Sequence, residues 1–113
     1  MIKLNGKVIE ECGWAGPLLW VCTKDNYAIH FYDAPIYLNK TRISTPRDIN
    51  LKLTGKRITS VSADPKNFSV HFSSGLVLKV NHSEVETARV FKRGGKVPHW
   101  VYKSGTLSND RDA

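Results

Sequence analysis

Sulfur is scarce in this chain: two cysteines, Cys12 and Cys22, and one methionine stand among 113 residues. Two cysteines are too few for a disulfide scaffold and fit a reducing compartment. No apolar run approaches ~18 residues, which excludes a membrane-spanning helix. The opening Met-Ile-Lys-Leu-Asn-Gly lacks the basic-then-apolar order of a secretion signal, so the expectation is a cytoplasmic protein. Chemistry-bearing motifs are missing too. There is no Gly-x-Ser-x-Gly, no phosphate-binding loop of the Walker type and no dinucleotide fingerprint. Within residues 1–103, close carboxylates occur only as Glu10 with Glu11 and Glu84 with Glu86, and neighbours along a strand face opposite sides. Nine residues intervene between Cys12 and Cys22 and sixteen between His82 and His99, which is not the spacing of clustered metal ligands. The expectations are no metal, no cofactor and no enzyme. The one acid–base arrangement left to the sequence is His30, His71 and a lysine converging on a phosphate.

What is present is globular. Apolar residues make up 41% and charged residues 24%, with three Trp, four Tyr and four Phe, which suits a single domain with one modest core. Seventeen Lys and Arg against ten Asp and Glu give +7. The excess is uneven. Lys40, Arg42, Arg47, Lys52, Lys56 and Arg57 face only Asp48 across residues 40–57, and Arg89, Lys92, Arg93, Lys96 and Lys103 face no acid across 89–103. A positive exterior attracts polyanions and acidic protein surfaces.

Self-similarity organises the chain. Leu4-Asn5-Gly6-Lys7-Val8-Ile9 returns as Leu53-Thr54-Gly55-Lys56-Arg57-Ile58, an offset of 49. Tyr27-Ala28-Ile29-His30-Phe31 matches Phe68-Ser69-Val70-His71-Phe72, an offset of 41. These matches predict a duplication, 4–39 and 53–81, with Gly13–Trp20 as a loop inserted in the first half and His30 and His71 on one polar surface. Alternation marks strands at Tyr27–Phe31, Val70–Ser73 and Leu76–Asn81, with more at Leu18–Thr23, Ile36–Asn39 and Lys56–Ala63. The sum is a mainly β fold, a small sandwich or partly open barrel of about seven strands built from two similar halves with one short helix. Ser83-Glu84-Val85-Glu86 has the form of a capping box, with cations and Gly94 downstream, and predicts that helix over 83–93 against the strand preference of Val85, Thr87 and Val90. The break at Thr45–Asp48 has room for one helical turn. Residues 1–103 read as the domain and 104–113 as a flexible tail.

Two recognition surfaces follow. Trp14, in the supposed loop, reads as an apolar anchor for a protein partner, with Arg42, Arg47, Lys56, Arg57, Lys92 and Arg93 as its charge complement. The segment Phe91–Lys103 interleaves cations with rings, so Trp100, Tyr102 and Lys96 form a candidate platform for single-stranded nucleic acid. Trp100 and Tyr102 suit covering the core equally well.

A short β-protein of two Leu-x-Gly-Lys-x-Ile-plus-hairpin units, spanning roughly residues 4–83, resembles immunity proteins of bacterial toxin–immunity pairs, including those of contact-dependent inhibition. The resemblance rests on size, repeat layout and the missing catalytic motif. It implies a cytoplasmic, non-catalytic binder that neutralises a cognate toxin domain, here one offering an acidic surface. A basic nucleic-acid-binding module is the alternative, and neither reading involves a membrane.

Overall fold

Strands dominate because apolar side chains recur at every second position, giving each segment one face to bury. The computed structural model of the chain describes residues 4–32, 35–43, 46–94 and 99–110. In chain order the elements are β1 (Ile9–Ala15), β2 (Leu18–Thr23), β3 (Tyr27–Tyr32), β4 (Ile36–Leu38), β5 (Thr41–Arg42), α1 (Pro46–Leu53), β6 (Ile58–Ala63), β7 (Asn67–Phe72), β8 (Val77–Asn81), β9 (Glu86–Lys92), β10 (His99–Lys103) and β11 (Thr106–Asp110). They form two antiparallel sheets, β1-β2-β3-β9-β10-β11 and β5-β4-β8-β7-β6, packed as an open sandwich. The described strands number eleven rather than about seven.

The two Leu-x-Gly-Lys-x-Ile segments meet each other. Val8 bridges Arg57, and around this bridge the hydrogen bonds are reciprocal. Gly6 N–H donates to Ile58 O at 2.7 Å and Gly55 N–H to Ile9 O at 2.8 Å; Ile58 N–H donates to Lys7 O at 2.8 Å and Ile9 N–H to Lys56 O at 2.9 Å. Exchanging the halves regenerates the same set, as a local two-fold requires. Gly6 and Gly55 hold φ of +85° and +83°, a left-handed conformation that glycine adopts without the penalty of a Cβ. The two sheets are thereby stitched along one side.

The offset of 49 then persists. Ile9↔Thr23, Cys12↔Val21 and Trp14↔Leu19 in β1–β2 correspond to Ile58↔Phe72, Val61↔Val70 and Ala63↔Phe68 in β6–β7, and both hairpins bulge after their first residue. Trp20↔His30 in β2–β3 corresponds to Ser69↔Lys79 in β7–β8. The offset of 41 is corrected: His30 lies on β3, whose counterpart is β8, whereas His71 lies on β7, whose counterpart is β2. Alternating strands of one hairpin look alike in sequence, so a slip of one strand was invisible to pattern matching. Gly13–Trp20 is no insertion; it is the β1–β2 hairpin, equivalent to β6–β7. The fourth strands are exchanged: β4 of the first half pairs with β8, and β9 of the second pairs with β3.

The helix expected at 83–93 is a strand. β9 lies between β3 and β10, with Ala88 and Val90 buried. Ser83 Oγ accepts from Val85 N–H at 3.4 Å within a turn, and Glu86 binds Arg89 instead of capping. Burial of alternate residues between two strands outweighed the local capping signal. The helix is α1, at the break between the halves, where Pro46 suits the first helical turn. Ile49 and Leu53 are fully buried, and Asn50 Oδ1 accepts from Cys12 N–H at 3.1 Å and fastens the helix to β1. The segment read as the start of a tail forms the edge strand β11, and its hairpin packs against the β6–β7 turn: a Cβ on Gly105 would lie 2.7 Å from Pro65 O.

The core lies between the sheets. Equivalent inner positions stay apolar with few exceptions: Ile9 and Ile58, Cys12 and Val61, Leu19 and Phe68, Val21 and Val70, Ile29 and Leu78, Phe31 and Val80. Phe68 sits between Phe31 and Tyr102, with centroids 6.2 and 5.7 Å away, and Tyr102 Oη donates across the sandwich to Asp64 O at 2.7 Å. Among the described residues no helix is long and apolar enough to cross a membrane.

Candidate functional site

If the inner faces of two equivalent halves match, chemistry that distinguishes them must lie outside. On the outer face of the first sheet, the register places Trp20 beside His30, His30 beside Arg89, and Ala28 beside Phe91. On the second sheet the counterparts of Gly13, Trp20, Cys22 and His30 are Ser62, Ser69, His71 and Lys79. One outer face is aromatic and the other is hydroxylic and cationic.

Trp20 lies flat on Gly13. A Cβ at residue 13 would come within 2.1 Å of the Trp20 ring, so the absent side chain is what lets the indole settle on the sheet. The rings continue across the strands: His30 meets Phe91 edge-on at 4.7 Å and Tyr32 at 6.0 Å, and Tyr32 Oη lies 3.3 Å from His30 Nδ1. Glu86 holds the Arg89 guanidinium in a fork, with Nη2 to Oε1 at 2.7 Å and Nε to Oε2 at 3.1 Å. Burial first, and then the charge of Glu86, push the Tyr32 phenol above its ordinary value, with Arg89 opposing. At the strand ends Arg93 Nη1 donates to Cys22 Sγ at 3.5 Å. A concavity of 290 Å³ is enclosed by Glu11, Leu18, Trp20, Cys22, His30, Phe91 and Arg93.

The concavity offers ring faces, the Arg93 guanidinium and the Glu11 carboxylate, and no group of three or more His, Cys, Asp or Glu among the described residues is placed to hold a metal. Cys12 faces the core on the other side of β1, so it cannot pair with Cys22 on the outer face. Its thiol is pushed up to about 12, by burial first and then by Cys22 and Glu11, and is inert as a nucleophile.

The residues singled out from sequence are dispersed. Trp14 is half-buried on the inner side of β1 and packs against the core, because what had read as a loop is a hairpin strand. Tyr102 is fully buried and Trp100 packs on the core, so Tyr102 offers no ring face to a base. Lys96 lies outside the described residues, as does the side chain of Arg47. Arg42 is exposed on β5, Lys56 is half-buried beside the two-fold bridge, and Arg57 Nη1 donates to Gly6 O at 2.8 Å. Lys92 and Lys7 both approach the Tyr27 ring, at 5.7 and 4.3 Å, and Lys7 also pairs with Asp25. Among the described residues of the expected set, Arg93 alone joins the concavity. His30 and His71 share no surface, since they stand on the outer faces of different sheets.

Sequence reading missed Trp20, Phe91 and Gly13 as a unit. The signal was a glycine opposite a tryptophan in a hairpin, and it emerges only once the β1–β2 register is known. In comparison with known proteins, the chain matches no protein-family model, no curated protein and no solved structure.

Proposed function

We propose that this chain is a non-catalytic binding protein that docks on an acidic surface of a protein partner through the outer face of its first sheet, with neutralisation of a cognate bacterial toxin as the leading case. One observation carries the reading: two halves with equivalent interiors differ in that one outer face alone bears the Trp20–His30–Phe91 ring cluster, edged by Arg93. Tryptophan and arginine are the residue types that most often dominate binding energy at protein interfaces, and rim cations mainly raise the association rate with acidic surfaces. Toxin neutralisation in the cytoplasm rests on the resemblance in size and repeat layout. The nucleic-acid alternative is weakened by the burial of Tyr102, which removes one ring of its stacking platform.

The test uses the reading frame next to this one. If that frame encodes a protein with a toxic C-terminal domain, co-expression should protect growth, and the purified pair should bind. Trp20→Ala and Arg93→Glu should each weaken binding by roughly tenfold or more. Trp14→Ala should alter stability and leave affinity intact. No complex with the toxic domain and no protection would overturn the proposal, as would full affinity in Trp20→Ala.

A further inference from the structure

The second outer face carries a concavity of 280 Å³, enclosed by Tyr37, Asn39, Lys40, Lys79 and Asn81. It overlaps the two-fold image of the aromatic one at two positions. Lys79 stands where His30 stands, and through the β4–β8 and β3–β9 registers Asn39 stands where Phe91 does. The two outer faces thus carry hollows that share these two equivalent positions and differ in chemistry.

All five lining residues can donate hydrogen bonds and none is a carboxylate. The five strands of this sheet contain no Asp or Glu at all. Asn39 is fixed: its backbone N–H donates to Val77 O at 2.8 Å and Val77 N–H donates to its Oδ1 at 2.9 Å. A backbone N–H can meet only an acceptor, so the carboxamide orientation is settled and its NH₂ remains to serve the hollow. Lys79 lies directly across the strand pair from Tyr37, so an ammonium and a phenol flank the same space. The charge of Asp64 senses Lys79, but Asp64 Oδ1 accepts from the Lys66 and Asn67 amides at 2.8 Å each and makes no ion pair with Lys79.

We propose that this hollow is a binding site for a phosphate monoester, with the phosphoryl oxygens on Lys40, Lys79 and the amides of Asn39 and Asn81, and the organic group against Tyr37. Two ammonium groups match the charge of about −1.5 to −2 on a phosphate monoester at neutral pH and would overcompensate a single carboxylate. Several convergent donors suit a tetrahedral group that accepts from several directions. The site is separate from the proposed docking face, and its failure leaves that reading untouched.

The test is a chemical-shift titration of backbone amides at fixed ionic strength, with phenyl phosphate, inorganic phosphate and benzoate as probes. Phenyl phosphate should give saturable shifts confined to residues 37–40 and 77–81. Lys79→Gln and Lys40→Gln should each weaken it by roughly tenfold, and Lys52→Gln, which removes a charge from α1, should not. Benzoate should bind at least roughly tenfold more weakly than phenyl phosphate. Equal affinity for inorganic and phenyl phosphate would restrict recognition to the phosphoryl group and overturn the part assigned to Tyr37. Shifts spread over every lysine-bearing surface, or binding unaffected by both substitutions, would overturn the site altogether.

Discussion

Single residues show where this fold tolerates no change. Gly13 is held by its neighbour, because any Cβ there would occupy the space of the Trp20 ring. Gly13→Ala is expected to lift the indole off the sheet and cost about 1–3 kcal/mol, as overpacking does. Thermal unfolding and the Trp20 emission would report it. Trp20→Ala in the same background should recover most of the loss, since the clash disappears with the ring. Loss of stability that Trp20→Ala does not relieve would mean the glycine is needed for its backbone alone.

At the scale of elements, α1 divides its apolar residues by direction. Ile49 and Leu53 are one turn apart and fully buried, whereas Leu51 is 74% exposed. Leu53→Ala should therefore cost about 2–5 kcal/mol, and Leu51→Ala should stay within about 0.5 kcal/mol of the parent. Denaturant midpoints with unchanged slopes would measure both. Comparable losses would contradict the docking of α1 on β1. The same scale explains β9. Its capping-box sequence is a local preference of a few residues, and pairing on both sides with β3 and β10 buries Ala88 and Val90 and overrides it.

The whole molecule is two halves held at their openings and by exchanged fourth strands, and two carboxylates fasten its turns. Asp25 accepts from Lys7 and from Thr23 Oγ1, which hold its carboxyl below the ordinary value of 3.8. Asp64 is held below the same value by the backbone amides of Asn67 and Lys66. A carboxyl whose folded pKa is depressed contributes stability that is present above 3.8 and is lost as pH falls through the folded value. Unfolding followed by circular dichroism should therefore steepen below about pH 4. Asp25→Asn and Asp64→Asn should each lower stability at neutral pH and leave the acid end nearly unchanged, which flattens the limb between them. An acid limb identical in both variants would remove these two groups from the account.

Alternation by itself determined that the chain is mainly β, and the repeated Leu-x-Gly-Lys-x-Ile determined that its halves begin alike, because both are local patterns of side chains two or a few residues apart. Segments such as Leu18–Thr23 and Ile58–Ala63 were legible for that reason. Strand partners were not. Which strand faced which depended on burying both inner faces at once, and a slip of one strand preserved every local pattern while moving His71 to a different position in the hairpin. Tertiary packing alone decided that Trp14 and Tyr102 turn inward, that Trp20, His30 and Phe91 gather on one face, and that Lys79 and Asn39 occupy the matching place on the other. Those groupings join residues as far apart in the chain as Trp20 and Phe91, and only the closing of two sheets over one core brings them together.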